Sequence, residues 1–335
     1  MTSETTTVRR SRQPANLVRN EHLRLMARVA RLYHERGMRQ SEIAAELHIS
    51  QPRVSRLLKQ AVELGVVRTV VSLPAGVHTD LEEALEETYG LSEAVVADVE
   101  GLLGDSAGAI GAAAATYLET TLTGHDRVGI SSWSASLLSA IEVMRPSKTR
   151  AADAVVQLVG GLGTQTVQVQ ATRLLERLAM LVGAEAVFML TPAVLGTAEA
   201  RESLLADPTL SDVMDHWRNL TVALVGIGAL EPSPLLRESG NTLAEADRRR
   251  LSELGAVGDV CLRYFDGEGQ LVASGFDDRV AGITPDLLRA VPRRVGVAGG
   301  EGKVDAVRGA ILGGWVNVLV TDSRTAELLL QRRNG

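Results

Sequence analysis

The 335-residue sequence has one cysteine, Cys261, so no disulfide can form within the chain and a core stapled by bridges is excluded. That usage suits a reducing cytoplasm. Long apolar runs are also missing. The most apolar stretch, "AMLVGAEAVFMLTPAVLG", is broken by Glu185 and Pro192 and falls short of the ~20 residues a membrane-spanning helix needs. The opening "MTSETTTVRRSRQPAN" lacks the apolar run of a secretory leader and reads as a loose basic arm. Lysine is scarce, three against 32 arginines, and histidine occurs only six times. No internal repeat or low-complexity tract is visible. What remains, 45% apolar and 23% charged residues, is ordinary for a globular chain of more than one domain.

The formal net charge of −6 is unevenly spread. Residues 1–68 hold thirteen Lys/Arg against six Asp/Glu, and the rest of the chain holds 22 against 35. A basic front on an acidic body is what a DNA-binding head requires, because phosphate contact depends on the local field and not on the whole-chain sum.

Inside that basic part lies "SEIAAELHISQPRVSRLLKQA", residues 41–61. Ala44 supplies a small residue where two helices cross, and Ile43, Leu47, Ile49, Val54, Leu57 and Leu58 form one apolar side at helical spacing. Ser50 is an N-cap type, and Pro52 is tolerable in a first turn. This is the helix-turn-helix pattern. It turns Gln51, Pro52, Arg53, Ser55, Arg56 and Lys59 outward, with Gln40 and Ser50 at the helix starts. Gln51, Arg53 and Arg56 suit base edges, while Ser50, Ser55 and Lys59 suit phosphates of double-stranded operator DNA. His48 stands where such turns usually place glycine and is expected in the left-handed region. Glu21 to Arg36, stopped by Gly37, reads as a supporting helix. "GVVRTVVSLP" reads as a short strand, a wing or a connection. A helical hairpin with no DNA role is the plainer reading.

After Pro74 and Gly76 the chain alternates. The apolar runs "AVVAD", "RVGIS", "AVVQLVGG", "AVFML", "VALVGIG", "RVGVAGG" and "VNVLVTD" are separated by helical patterns, as in a mostly parallel sheet covered on both faces. "DVCLRYFDGEGQLVAS" breaks the rule and reads as a hairpin across its Gly-containing turn. In open α/β sheets ligands bind beyond the C-terminal strand ends. Ser131, Ser132, Ser134 and Ser136 follow one strand; Gly160, Gly161, Gly163 and Thr164 another; Gly226 and Gly228 a third; Gly299, Gly300 and Lys303 a fourth. Together they mark one rim, where a rare lysine suits a phosphate as a point charge. Tight turns use glycine for steric reasons too, and a surface lysine is the bland reading of Lys303.

The stretches "RQSEIAAELHISQPRVSRLLKQAVELGVV", "VVQLVGGLG", "GAVGDVCLRYFDGEGQ" and "VAGGEGKVDAVRGAILGGWVNVLVTDSRTAELLL" together resemble the SorC family of sugar-responsive bacterial transcription regulators. The resemblance runs over nearly the whole chain after the arm. It implies a winged-helix-like helix-turn-helix domain and a Rossmann-like α/β domain related to phosphosugar isomerases and deaminases. The organisation is then an arm at 1–18, a DNA-binding domain at 19–73, a linker at 74–79 and an effector-binding and oligomerisation domain at 80–335. The resemblance also implies a homodimer or homotetramer and adds Asp259, Arg263 and Phe265 to the effector residues Ser131 to Ser136, Gly160 to Thr164, Gly228 and Lys303.

"SSWSAS" departs from the family, which often has glycine beside the tryptophan of this loop. Sugar, polyol and sugar phosphate therefore all stay open as effectors. Asp259 and Arg263 fit a structural ion pair as well as ligand contact, and "DGEG" at 266–269 fits turn chemistry better than a cation. No metal or cofactor is expected. No histidine falls in a glycine-rich rim loop, so the expected activity is regulation rather than catalysis. An isomerase-like enzyme, or a metabolite-binding protein whose head serves only assembly, are the alternatives.

Overall fold

The computed structural model describes residues 13–67, 76–99, 106–131, 134–161, 165–231 and 243–332, and of residues 13–20, 165–168 and 170 the backbone only. The chain forms two compact units, Met1–Ser72 and Leu73–Gly335.

The first unit contains α1 (Gln13–His34), α2 (Gln40–Glu46) and α3 (Gln51–Glu63). Met26, Val29, Leu32, Ile43, Val54, Leu57 and Ala61 meet in its core. α1 starts well before Glu21, so residues 13–18 of the expected arm are helical; Pro14 sits in the first turn, where its missing N–H costs nothing. Gly37 stops the helix region at φ +65°, and His48 adopts φ +53° in the turn between α2 and α3, the left-handed conformation expected of it. The expected strand after Gly65 and the start of the linker fall on residues 68–75, outside the described residues.

The second unit is built on a seven-stranded sheet of order β1-β10-β9-β5-β2-β3-β4. Its strands are β1 (Glu93–Ala97), β2 (Arg127–Ile130), β3 (Ala154–Gln157), β4 (Glu185–Val187), β5 (Val222–Gly226), β9 (Arg293–Val297) and β10 (Val318–Asp322). Each arises from one of the seven apolar runs, and every pairing is parallel. Both faces are covered, because alternate residues enter different cores: Ala223 and Val225 join one, Val222 and Leu224 the other. The first core takes side chains from α4 (Thr79–Tyr89), α9 (Pro208–Arg218), α12 (Val304–Leu312) and α13 (Ser323–Gln331). The second takes them from α5 (Ala107–Thr121), α6 (Ala135–Val143) and α7 (Gln165–Val182). Helices α8 (Ala198–Leu205), α10 (Glu245–Glu253) and α11 (Pro285–Ala290) complete the described set.

A small antiparallel sheet of β6 (Gly228–Ala229), β7 (Gly258–Val260) and β8 (Arg263–Phe265) continues directly from β5. The expected hairpin exists across its Gly-containing turn, where Phe265 pairs antiparallel with Leu271, and a second, tighter turn precedes it. Cys261 and Leu262 make the turn at φ +53° and +63°, a type I′ geometry that side-chained residues rarely take. Asp259 holds it by accepting the Leu262 N–H at 2.9 Å. The "DGEG" segment is the Gly-containing turn, in which Asp266 Oδ1 accepts the N–H of Glu268 and of Gln270 at 3.1 and 2.8 Å.

Arg263 is 1% exposed; it pairs with Asp277 and donates to the carbonyls of Gly282 and Ile283. A buried guanidinium that satisfies this many acceptors locks the hairpin to the 277–283 segment. Arg263→Met is therefore expected to lower the unfolding free energy by about 3–5 kcal/mol, by orphaning Asp277 and these carbonyls. Urea titration followed by tryptophan fluorescence measures it, and a loss under about 1 kcal/mol contradicts the assignment.

Candidate DNA-binding and effector sites

In α3 the buried side carries Val54, Leu57, Leu58 and Ala61, which leaves Gln51, Pro52, Arg53, Ser55, Arg56 and Lys59 exposed. Arg53 and Arg56, three apart, lie on neighbouring turns of one face. Ser50 is the exposed N-cap residue, yet its hydroxyl makes no capping hydrogen bond. Gln40 opens α2 and is half-buried. Lys59 Nζ stands 4.0 Å from Glu63 Oε1 with 80% of its side chain exposed, a solvent-screened pair that leaves the ammonium free for other anions.

In the second unit the chain runs outward from β2 through β3 to β4, returns to β5 on the other side of β2, and continues to β9 and β10. Strand order thus reverses between β2 and β5, and the crevice beyond their C-terminal ends is where ligands enter such sheets. Gly226-Ile227-Gly228, leaving β5, is the floor of that crevice. Three separate segments close on it. The Gly226 N–H donates to Ser131 Oγ at 3.0 Å, and a β-carbon on Gly226 would lie 2.7 Å from that of Ser134. A β-carbon on Gly228 would lie 2.1 Å from Asp259 Oδ1. Between them, Lys303 Nζ donates to the Ile227 carbonyl at 3.0 Å.

This packing sets the electrostatics. Burial pushes the Asp259 carboxyl up to about 6, although the Leu262 N–H and the Lys303 charge pull the other way. Burial also lowers the Lys303 ammonium, and Asp259 partly restores it. A carboxylate acceptor and an ammonium donor therefore share one partly desolvated rim with the serine hydroxyls of β2–α6. Such a set can hold vicinal hydroxyl groups, with the lysine available to an anionic substituent.

The structure brings together Ser131, Ser134, Gly228, Asp259 and Lys303. Ser132 and Thr164, with Trp133 and Gly163, lie outside the described residues. Ser136 is buried in the first turn of α6, and Ser134 caps that helix by accepting the Leu137 N–H at 3.4 Å. Gly160 and Gly161 are engaged by a chain crossing, their N–H groups donating to Ala281 and Thr191 carbonyls at 3.0 and 2.7 Å. Arg263 and Phe265 are turned away from the rim: the first is spent on the 277–283 segment, and the second is fully buried against Trp315 with ring centroids 5.4 Å apart. Both sit on β8, across the 261–262 turn from Asp259 on β7, which carries their side chains to other partners.

Sequence reasoning missed Gln157, Asp322 and Thr325. Gln157 lines a small cleft with Ile130, Ser131, Ala171, Leu174 and Leu175, and its amide bridges the Val159 carbonyl and the Met189 N–H at 2.8 and 3.0 Å. Asp322 and Thr325 hold the glycine loop before Lys303, accepting the Gly300 N–H at 2.9 and 2.8 Å. The available signals were a lone polar residue inside "AVVQLVGG" and the Asp-x-x-Thr spacing that ends β10 and caps α13.

Comparison with known proteins agrees with both halves. A family described as "Putative sugar-binding domain" matches residues 74–331, and one described as "Helix-turn-helix domain" matches residues 14–75. The chain belongs to the SorC family of sugar-binding transcriptional regulators. It is 32% identical to the sorbitol operon regulator of Klebsiella pneumoniae, over 93% of this chain and 99% of that one. It is 31% identical to the deoxyribonucleoside regulator of Bacillus subtilis, over 92% and 98%. The crystal structure of the full-length Klebsiella regulator superposes with a TM-score of 0.70 at 30% identity, covering 92% of this chain and 99% of that one. Among the described residues, no helix is long and apolar enough to cross a membrane.

The raised Asp259 carboxyl makes stability depend on pH with a defined sign. Its folded pKa of about 6 exceeds the ordinary 3.8, so the stabilisation is complete below the lower value and is lost as pH rises through the upper one. Asp259→Asn is expected to flatten that part of the stability profile. Denaturant midpoints taken between acid and neutral pH test it; an unchanged slope in the variant refutes the assignment.

Proposed function

We infer that this regulator binds a near-palindromic operator through α3 and releases or grips it according to the sugar, polyol or sugar phosphate held at the Ser131, Ser134, Asp259 and Lys303 rim. The observation that carries the reading is the convergence of these groups on Gly226–Gly228 at the point where strand order reverses. The exposed Gln51, Arg53 and Arg56 support base contact, with Ser50, Ser55 and Lys59 on phosphates and Gln40 at the groove wall. Two copies related by a two-fold axis would place α3 in successive major grooves roughly 34 Å apart. A homodimer or homotetramer in the cytoplasm fits that use. Control requires differential affinity: the effector has to favour one arrangement of the heads, typically by about 1–3 kcal/mol.

The names of the relatives support a small polyhydroxylated effector. Asp259, titrating at about 6, is largely a carboxylate at neutral pH and accepts from hydroxyl donors on a ligand, and Lys303 accommodates a phosphate without demanding one. A carboxyl titrating near 6 is also in the range of a general base, which keeps an isomerase-like reading worth one direct test. Incubation with phosphosugars should return them unchanged; a converted product would make the chain an enzyme.

Two measurements test the regulator. Arg56→Ala should weaken operator binding by about 1–3 kcal/mol and relax sequence preference, whereas Lys59→Ala should weaken all sequences alike. Gel-shift titrations showing neither pattern refute the docking. For the rim, thermal melts with sugars, polyols and their phosphates should show a shift that Lys303→Ala removes. A ligand that stabilises wild type and variant equally binds elsewhere.

A further inference from the structure

The rim is connected, strand end by strand end, to the place where the second unit receives the chain from the first. Asp322, which holds the Gly300 N–H and with it the loop before Lys303, is the last residue of β10 and stands in register with Ala97, the last residue of β1. The next residue, Asp98, faces the incoming chain. Its Oδ1 lies 3.5 Å from His78 Nε2, and its Oδ2 lies 3.1 Å from the position of a β-carbon on Gly76. The His78 carbonyl in turn accepts the N–H groups of Leu81 and Glu82 at 2.9 and 3.0 Å, forming the first turn of α4.

Beyond that turn, α4 is fixed. Glu86 Oε1 and Glu82 Oε1 accept the outward N–H groups of Ala94 and Val96 on β1 at 2.8 and 2.9 Å, and the Tyr89 hydroxyl donates to the Leu329 carbonyl at 2.6 Å. Sliding the helix would orphan two strand donors and expose a sheet edge. Freedom is therefore concentrated just before α4, where Gly76 sits at φ +80°. The His78 ring is held there without an aligned hydrogen bond: Nε2 is buried, has no hydrogen-bond partner among the described residues, and stands within ion-pair range of Asp98 alone. Such a contact is easier to break than the carboxylate–amide pairs on either side of it.

We propose that the Asp98–His78 contact is the joint through which occupation of the Lys303 rim repositions the segment arriving from the DNA-binding unit. The route runs from Lys303 through the glycine loop to Asp322, across the β10–β1 register to Asp98, and on to His78 and Gly76. It rests on the regulator reading above, in that the joint has work to do only if rim and head are coupled. Asp98 and His78 act here as positioning residues that touch neither effector nor DNA.

Hydrogen exchange on the full-length chain, with no small molecule added, tests the joint separately from the identity of any effector. Lys303→Ala perturbs the rim, and exchange is read at Leu81 and Glu82, whose amide partner is the His78 carbonyl. The expected result is an increase of about tenfold at those amides in the otherwise wild-type chain and no further increase from Lys303→Ala in an Asp98→Asn background. His78→Gln, which cuts the contact from the other side, should abolish the effect equally and serves if the Asp98 variant folds poorly. The proposal is overturned if Lys303→Ala leaves Leu81 and Glu82 unchanged, or if its effect is the same size with the joint cut as with it intact. A chain that passes this test but shows no thermal shift with any sugar or polyol would keep the joint and lose the effector assignment.

Discussion

The proposed effector rim depends on one strip of backbone, Gly226 to Gly228, whose two glycines carry no β-carbon. The missing β-carbons leave room for Asp259 and Ser134, and the bare Ile227 carbonyl gives Lys303 a partner. Each visitor comes from a different part of the chain: the β2–α6 loop, the antiparallel hairpin, and the loop after β9. The sheet holds the strip in place, so the fold itself positions the three groups, and a ligand bound there would not need to order them. That placement brings a carboxyl and an ammonium together in partly desolvated surroundings, where each relieves part of the other's burial cost.

The DNA-binding unit obeys a different logic. Its reading face is whatever the core leaves over: once Val54, Leu57, Leu58 and Ala61 are buried, helical geometry alone decides that Arg53, Arg56 and Lys59 face outward. No cavity or strained loop is involved beyond the left-handed His48. The affinity of such a face for phosphates comes from local charge, because charges beyond a screening length contribute little. Regulation has to join the sugar-binding unit to a surface of this kind, and the second unit fixes α4 to β1 through Glu82 and Glu86.

Much of this was legible beforehand. Seven apolar runs became seven parallel strands, and the helix-turn-helix residues took their expected sides, because burial periodicity is a local property that the sequence states directly. The hairpin was visible too, but a second turn within it was not. The chain does bend at Asp266 to Gly269, where Phe265 pairs antiparallel with Leu271, but it also turns at Cys261 and Leu262, residues with no turn preference. Their strained conformation is held by Asp259 and by burial of Cys261, and neither is a local signal.

Sequence by itself determined the two-part organisation, the covered parallel sheet, and the candidacy of Ser131, Ser134, Gly228 and Lys303, because charge distribution, period and strand-end glycines are read one residue at a time. Only the tertiary structure decided that Asp259 belongs at the rim while Arg263, four residues further on, belongs to Asp277 and the core. It alone brought Asp322 to the glycine loop and Asp98 to the incoming chain. The physical reason is that partners far apart in sequence are chosen by strand order, and strand order is set by how the whole set of helices and strands buries its apolar faces together.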